Sequence, residues 1–374
     1  MDSKTPKELF TEVTSLKEVN PALKIFASLG GWTFSDNDTV TQPLLGEIAS
    51  DTSKRTRFAN NIVSFLTEYG FDGIDIDWEY PGAPDRGGKP EDTKEMVQMF
   101  SAIRKAFDDS GHDFGLTFTT PASYWYLRWF DVPGLLKYAD WTNLMSYDIH
   151  GVWDQGSQLG SFVRPHTNLT EIQLAVELLW RVGVKPSQVA LGFGLYGRSF
   201  TLSDPSCTDS GCPFSEGSRP GVCTNTSGYL AHYEIQDILN KGSSTSNGHL
   251  ALDESALAPE VQYDKKAAVK YFSFNGDQWV SYDDAETFKQ KRDWANKVGI
   301  SGSLVWASDL DFLSDGLKDQ LTQEVSDLET SSLSKDCYIF PENVDLDNPQ
   351  ASTCKRGYTR SRTADLLQDN NGSC

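Results

Sequence analysis

Long apolar segments and basic residues are both scarce in this sequence of 374 residues. No apolar run approaches the roughly 20 residues that a membrane-spanning helix needs, so the pattern predicts no such helix. Lysine and arginine number 33 against 53 aspartates and glutamates, which gives a net charge of -20 at pH 7. That excess of negative charge disfavours nucleic acids and anionic membranes as partners. The length is nevertheless sufficient to bury a large hydrophobic core.

Histidine and cysteine are also infrequent, and their arrangement argues against a metal site. The five histidines are scattered, and the six cysteines lack the paired CxxC spacing of zinc ligands. Disulfide bonds are the better interpretation, although six cysteines permit fifteen connectivities and each group is odd-numbered. The two groups are Cys207, Cys212 and Cys223, then Cys337, Cys354 and Cys374.

Four Asn-X-Ser/Thr sequons permit N-glycosylation, a modification of secreted proteins. Together with the cysteines they predict a secreted, extracellular protein whose signal peptide is not present in this chain. We expect the protein to act as a monomer. The sequons lie at Asn37, Asn168, Asn225 and Asn371.

The most informative segment is residues 71–81, FDGIDIDWEYP, where four carboxylates interrupt an apolar run. On a β-strand alternate side chains share a face, so Asp75, Asp77 and Glu79 point the same way. Aligned carboxylates repel one another and lose hydration, which destabilises the fold unless they share protons or find partners. A solvated edge strand is the alternative. It is disfavoured because the opposite face carries two isoleucines and a tryptophan.

The spacing of these carboxylates, with Asp72 as the first, resembles the DxxDxDxE signature of family 18 glycoside hydrolases, the chitinase family. Further stretches follow in the order in which that family has them. Their residues resemble those of fungal killer-toxin-like chitinases. The resemblance runs from about Thr5 to about Leu313. The matching stretches are Ser28 to Trp32, Met145 to Asp148, Tyr196 to Phe200 and Trp306, with residues 84–92, 123–131 and 166–172.

Strand and helix patterns alternate along the chain, which is typical of a parallel α/β sheet. The resemblance implies a TIM (β/α)8-type barrel, in which active sites lie at the carboxyl ends of the strands. Only six barrel strands are predicted, so the chain apparently lacks the first two, and we expect exposed sheet edges to weaken it. The predicted strands are 24–30, 73–79, 115–120, 141–147, 188–196 and 302–307, and the predicted helices are 5–19, 52–69, 91–109, 132–138, 168–182 and 284–298.

Two stretches depart from this alternation. Between the two barrel portions, 1–198 and 278–328, residues 199–277 contain glycine, serine, proline, three cysteines and aromatic strand-like runs. A structureless loop of that length is improbable, so we expect a small α+β insertion domain after strand seven of the barrel, as in related chitinases. Residues 329–374 are polar and contain cysteine, and either begin a cysteine-rich segment or form a disordered tail.

The resemblance implies a substrate-assisted reaction in which the acetamido oxygen of the sugar replaces a protein nucleophile. Glu79 would be the general acid/base, with a pKa raised by burial and nearby carboxylates. Asp77 would accept the acetamido N–H and stabilise the developing positive charge, and Asp75 would share a proton with Asp77. Tyr147 would hold the acetamido carbonyl under C1. Asp72 would have a structural role.

Substrate-binding residues are implied at the strand ends and in the loops that follow. Asp148 would hydrogen-bond sugar hydroxyls, Trp306 would stack on a sugar face, and Ser28 would hydrogen-bond into the Asp75 network. Arg198 would line the cleft. The other predicted substrate-binding residues are Met145, Trp32, Tyr196 and Trp153.

Some of these candidates have a purely structural alternative. Ordinary core packing explains Met145 nearly as well as binding does, and a buried core position is the alternative for Trp306. Tyr124 and Trp125 are weaker candidates, because a packed loop explains them equally well.

The sequence therefore predicts a chitinase that hydrolyses β-1,4-N-acetylglucosamine links in chitin and chito-oligosaccharides with retention, without metal or cofactor. An endo-β-N-acetylglucosaminidase acting on N-glycans shares this chemistry, but the insertion domain and the aromatic count favour chitin. A non-catalytic chitin-binding lectin is disfavoured, because such proteins usually lose the acidic glutamate. An inactive fragment is the third alternative, because the predicted barrel is incomplete.

Overall fold

The computed structural model describes residues 7–246, 248–253 and 255–311, so the predicted tail at 329–374 lies outside the described residues. Helices and strands alternate through most of the chain. The helices are α1 Lys7–Val19, α2 Leu44–Ser50, α3 Thr52–Tyr69, α4 Asp92–Ser110, α5 Tyr124–Leu127, α6 Val132–Leu135, α7 Leu169–Arg181, α8 His232–Lys241 and α9 Ala285–Val298. The strands are β1 Phe26–Gly30, β2 Gly73–Asp77, β3 Gly115–Pro121, β4 Trp141–Met145, β5 Val189–Gly194, β6 Tyr196–Leu202, β7 Phe214–Gly217, β8 Tyr229–Ala231, β9 Ser243–Ser246, β10 His249–Leu252, β11 Gln262–Asp264, β12 Val269–Phe274, β13 Gln278–Tyr282 and β14 Gly302–Trp306.

The chain forms two compact units. The first unit contains the residues up to Asn143 and the segment Leu179–Val189. The second unit contains Leu144–Leu178 and the described residues from Ala190 onward. Strand β4, strand β5 and helix α7 each contribute residues to both units, so each unit holds part of the parallel strands.

In the first unit, β1, β2 and β3 pair in parallel in that order, followed by the first residues of β4. The register places Ser28 of β1 and Thr117 of β3 opposite Asp75 of β2. Ile74 and Ile76, which alternate with the aspartates, are buried. The strand therefore buries its apolar face and presents its carboxylates on the other, as the sequence pattern predicts.

Local sequence signals determine where helix α3 begins and ends. The Asp51 carboxylate accepts a hydrogen bond from the Lys54 amide at 2.8 Å, which satisfies a free donor of the first turn. Gly70 ends the helix with a φ of 75°, a conformation that glycine adopts without steric cost. The buried residues of α3 recur at helical spacing, namely Ala59, Ile62 and Leu66. Among the helices of the described ranges, none combines the length and the apolar character that crossing a membrane requires.

In the second unit, the end of β4, β5 and β14 are neighbours in that order, and β14 pairs with β5 in parallel. A second sheet is antiparallel, with the order β11-β12-β13-β6-β7, and β8 pairs with β6. Its core includes Leu230, Ile235, Phe272 and Val280, which are all buried. This sheet and the Cys207–Cys212 disulfide occupy the region around residues 199–277; the boundaries of an insertion domain stay a prediction.

All six predicted parallel strands are present, but four of them end one or two residues earlier than predicted, the last at Trp306 instead of Ala307. β2 ends at Asp77 instead of Glu79, because the Glu79 amide donates to the Ser35 hydroxyl at 3.4 Å and not to a neighbouring strand. β4 ends at Met145 instead of Tyr147, since the Ser146 amide turns back to the Leu144 carbonyl. The predicted fifth strand is interrupted after Gly194, and its last residue begins the antiparallel strand β6.

A buried ion pair in the second unit gives a prediction about stability. Lys291 on α9 donates to Asp283, and both side chains are only 1% exposed. Lys291→Met would leave the Asp283 carboxylate buried without its cation, so we expect a loss of about 3–5 kcal/mol in unfolding free energy. The control Lys289→Met removes the exposed pair with Asp293 and should cost about 0–1 kcal/mol. Urea unfolding measures both variants, and equal losses would contradict the prediction.

Candidate active site

Asp75 lies at the centre of a polar cluster inside the parallel strands of the first unit. The Thr117 hydroxyl donates to its Oδ1 at 2.6 Å and the Asn143 amide donates to the same oxygen at 2.9 Å. The Ser28 hydroxyl donates to Oδ2 at 3.1 Å, as the sequence analysis predicted. Each neighbouring donor therefore offsets part of the cost of burying this carboxylate.

Asp77, two residues further along β2, shares this environment. The Thr119 hydroxyl donates to its Oδ1 at 2.6 Å. Burial raises the pKa of Asp77 to about 6, the Thr119 hydrogen bond acts against that shift, and the charge of Asp75 adds to it. Burial also raises the pKa of Asp75, against the lowering effect of its three donors. Two neighbouring carboxyl groups with raised pKa values can hold one proton between them at mildly acidic pH.

Glu79 follows the end of β2 and is 7% exposed. Its carbonyl oxygen accepts a hydrogen bond from the Arg86 guanidinium at 3.0 Å, and the peptide bond to Tyr80 is cis. Burial raises the pKa of Tyr80 well above its ordinary value, and the adjacent Glu79 charge contributes to this shift. A protonated phenol and a buried carboxyl group therefore lie side by side, just beyond the strand that carries the two aspartates.

Trp32 lies in the loop after β1, and its ring is held by Arg86. The guanidinium lies 3.8 Å from the centroid of the indole, and Arg86 also donates to the Trp32 carbonyl at 2.7 Å. A further hydrogen bond of 2.8 Å joins Arg86 to Asp36. Trp32 is nevertheless 51% exposed, so one face of the ring is covered and much of the rest is open to solvent.

In the second unit, Asp148 forms a two-point ion pair with Arg198. The guanidinium donates to both carboxylate oxygens at 2.8 Å. Burial acts to raise the pKa of Asp148, but the positive charge of Arg198 outweighs it and holds this pKa well below its usual range. The backbone of Asp148 has a φ of 56°, a conformation that non-glycine residues rarely adopt. This carboxylate is therefore ionised and fixed in direction.

His166 stabilises that unusual backbone and was not predicted from the sequence. Its Nδ1 accepts a hydrogen bond from the Asp148 amide at 3.3 Å, and its Nε2 lies 3.1 Å from the Tyr196 carbonyl oxygen. This pattern assigns the neutral tautomer with the proton on Nε2. Burial lowers the pKa of His166, which favours the same neutral form. The histidine thus ties the loop after β4 to the start of β6.

Aromatic rings surround the Arg198 guanidinium. Its central carbon lies 4.8 Å from the Trp153 ring, 5.1 Å from Tyr229 and 5.5 Å from Tyr196. Tyr196 is buried, whereas Trp153 is 47% exposed. One arginine therefore orients both the Asp148 carboxylate and an exposed indole.

Tyr147 immediately precedes Asp148 and packs against two elements of the second unit. Its ring meets the Tyr196 ring edge-on, with centroids 6.0 Å apart. It also lies against Gly192 of β5, where an added Cβ would come within 2.9 Å of the tyrosine ring. The absence of a side chain at position 192 therefore makes room for Tyr147.

Met145 and Trp306 are the last residues of β4 and β14. Met145 is partly buried, which leaves core packing open as its explanation. Trp306 is 52% exposed, so it does not occupy the buried core position that was its alternative. Its carbonyl oxygen accepts a hydrogen bond from the Leu195 amide at 2.8 Å, which fixes the backbone that carries the indole.

The predicted site residues thus fall into two sets, one in each unit. Ser28, Trp32, Asp75, Asp77 and Glu79 belong to the first unit, and Met145, Tyr147, Asp148, Trp153, Tyr196, Arg198 and Trp306 belong to the second. Within the described ranges, no cluster of three or more His, Cys, Asp or Glu side chains is arranged to hold a metal ion.

Several supporting residues were missed. Thr117 and Thr119 alternate on β3 as the two aspartates alternate on β2, and polar side chains in an otherwise buried strand were a signal that could have identified them. Arg86 and His166 lie in the matching stretches 84–92 and 166–172, which could have drawn attention to them, whereas Asn143 carried no comparable signal.

Known proteins resemble this chain over most of its length. Probable chitinase LysM11 of Penicillium expansum is 32% identical over 340 residues, covering 86% of this chain and 30% of that protein. Killer toxin subunits alpha/beta of Kluyveromyces lactis are 32% identical over 358 residues, covering 93% and 29%. The chain therefore spans less than a third of the length of these two relatives.

A solved structure shows the same fold. Catalytic domain 2 of the Ostrinia furnacalis Group II chitinase, as a mutant in complex with penta-N-acetylchitooctaose, is 27% identical with a TM-score of 0.67. The match covers 81% of this chain and 75% of that one. It confirms the predicted α/β fold class of the TIM (β/α)8 type. Because residues 1–311 match the family described as Glycosyl hydrolases family 18, this chain belongs to glycoside hydrolase family 18.

Proposed function

We propose that this chain is a chitinase that hydrolyses β-1,4 links between N-acetylglucosamine units in chitin and chito-oligosaccharides. The names of its relatives and the sugar bound to the related catalytic domain support this substrate class. One observation carries the proposal. A partly buried carboxyl pair, Asp75 and Asp77, has raised pKa values and directly precedes the buried Glu79.

Glu79 is the general acid/base of the proposed reaction. Its proton passes to the glycosidic oxygen as the bond from that oxygen to C1 breaks. The acetamido oxygen of the same sugar attacks C1 from the opposite side and closes an oxazolinium ring. Glu79 then takes a proton from water, whose oxygen attacks C1 and reopens the ring. Two inversions at C1 give net retention of configuration.

The two aspartates stabilise the positive charge that develops on the oxazolinium ring. Asp77 accepts the acetamido N–H, so its negative charge stabilises the positive oxazolinium. For this the shared proton must reside on Asp75, where three donors from neighbouring strands hold the carboxyl group in place. The raised pKa values of both aspartates support the sharing of one proton at mildly acidic pH.

The second set of residues binds and orients the sugar. Tyr147 donates its hydroxyl hydrogen to the acetamido carbonyl and holds it beneath C1. Asp148, kept ionised by Arg198, accepts hydrogen bonds from sugar hydroxyls. The exposed faces of Trp153 and Trp306 stack on the apolar faces of sugars. In the first unit Trp32 stacks in the same way and Ser28 holds Asp75. Met145 and Tyr196 complete the set of the second unit, and the buried Tyr196 acts by packing edge-on against the Tyr147 ring.

We also infer that the protein acts outside the cell. The Cys207–Cys212 disulfide supports this, because such bonds persist in oxidising compartments. The sequons and the acidic surface charge are compatible with that location.

Replacement of Glu79 tests its role directly. Glu79→Gln keeps the size of the side chain but removes the transferable proton, so we expect a loss of at least about 100-fold in kcat. Binding of chitotetraose, measured by calorimetry, should persist. The control Glu91→Gln changes an exposed glutamate of the same unit and should leave turnover unchanged. Glu79→Gln turnover close to that of the parent would overturn the assignment and favour another acid.

The stereochemistry of the product tests the substrate-assisted mechanism. Proton NMR of freshly hydrolysed chito-oligosaccharides should show the β-anomer first, because retention requires two inversions. A substrate with a free amine in place of the reacting acetamido group should resist cleavage, since it lacks the nucleophile. Initial release of the α-anomer would exclude this mechanism.

The raised pKa of Asp77 predicts a pH-dependent stability difference. In the folded protein this pKa is about 6, against an ordinary value of 3.8. The folded state therefore binds more protons between these values, so the group stabilises the fold below about pH 4 and loses that effect as pH rises through about 6. The Tm difference between parent and Asp77→Asn, measured across this range, should shift against the parent as pH rises. A difference that is independent of pH would contradict proton retention by Asp77.

A further inference from the structure

Three half-exposed tryptophans share one arrangement, in which an arginine guanidinium lies over one face of the indole. Two of them, Trp32 and Trp153, were predicted to bind sugar, whereas the third was equally well explained by a packed loop. The three pairs are Trp32 with Arg86 at 3.8 Å, Trp125 with Arg128 at 4.1 Å and Trp153 with Arg198 at 4.8 Å.

Trp125 lies on the short helix α5, which follows β3. Its side chain is 51% exposed, so it is not the packed loop residue that was its alternative. Arg128 covers one face, and the indole N–H donates to Asp85 Oδ1 at 3.3 Å. The ring is therefore held from one side and at its edge, and the remaining face is open to solvent.

The helix that carries Trp125 is joined to the loop after Glu79. The Tyr126 hydroxyl donates to Asp85 Oδ2 at 2.8 Å. The Tyr126 ring also stacks on Tyr80, with centroids 4.2 Å apart. Tyr80 is the residue directly after Glu79, so the position of α5 is set by the segment that also positions the proposed acid.

Arg86, the residue after Asp85, holds the Trp32 indole as Asp85 holds the Trp125 indole. Arg86 covers the Trp32 ring and donates to the carbonyl oxygens of Trp32 and Glu79. Two consecutive residues, Asp85 and Arg86, thus reach exposed indoles on helix α5 and on the loop after β1. A further hydrogen bond of 2.8 Å from Asn37 to the Asp85 carbonyl holds this dipeptide to the loop after β1.

We propose that Trp125 is a further carbohydrate-stacking platform, and that Asp85 and Arg86 are positioning residues that hold Trp125 and Trp32 in fixed relation to the Glu79 loop. The ligand class, a β-linked chain of N-acetylglucosamine, rests on the proposed function. Pyranose rings present apolar C–H faces that pack against flat aromatic surfaces. Rings that are already fixed lose little conformational freedom when a sugar binds, which favours affinity.

Calorimetry with chitohexaose tests the platform, using the full chain with Glu79→Gln so that the sugar is not cleaved. Trp125→Ala in that background should raise Kd about tenfold. Trp125→Phe keeps a flat ring and should recover most of the affinity. An unchanged Kd for Trp125→Ala, in a protein whose thermal melt matches the parent, would overturn the assignment. If the parent itself does not bind chitohexaose, the proposed function fails and this inference fails with it.

The positioning role is tested by kinetics on chitohexaose in the protein with Glu79 intact. Arg86→Lys and Asp85→Asn should raise KM more than they lower kcat, because they loosen the platforms without removing the acid. Arg104 is a matched control, since it also bonds to two carbonyl oxygens and one carboxylate of the first unit. Arg104→Lys should leave KM unchanged. Equal effects of Arg86→Lys and Arg104→Lys on KM would reduce Arg86 to a structural residue and overturn its positioning role.

Discussion

Two partly buried carboxyl groups within the parallel strands are the constraint on which the first unit depends. Strands covered on both faces are normally apolar, because an unpaired buried charge is costly. Asp75 is tolerated because β1, β3 and β4 each supply a donor to it. A slip of one residue between strands would turn every one of these donors to the opposite face. The hydrogen bonds to Asp75 and the burial of Ile74 and Ile76 therefore specify the same register.

Environment, and not residue type, separates the aspartates into two kinds. Among the described residues Asp77 has a hydroxyl donor and a carboxyl neighbour but no ion pair with a cation, so burial dominates and its pKa rises. Asp148 is only partly buried, with a side chain that is 37% exposed, and its two-point pair with Arg198 keeps it ionised. Pairs of carboxyl groups whose surroundings push their pKa values apart are a common basis for dividing roles in a reaction. The proposed division here is charge control at C1 by Asp77 and hydroxyl recognition by Asp148.

The parts of the site that could be predicted from the sequence are those with a local signal. The alternation of Asp75, Asp77 and Glu79 with apolar residues predicted the strand and its two faces, and the six parallel strands were found in order. The predicted ends of four strands were one or two residues too late, because a strand ends where its backbone hydrogen bonds to neighbouring strands end. At Glu79 the amide is taken by the Ser35 hydroxyl, a residue of another loop.

The order of charged and apolar residues over a few positions is therefore enough to indicate the strand, the fold class and the family. The surroundings of each functional group are decided elsewhere. The three donors to Asp75 come from residues that lie 47, 42 and 68 positions away along the chain. Likewise, the loop that holds Trp125 is about 40 residues from it. Hydrogen bonds and ring contacts act only over a few ångströms, so partners this distant in sequence become effective only when the tertiary fold brings them together.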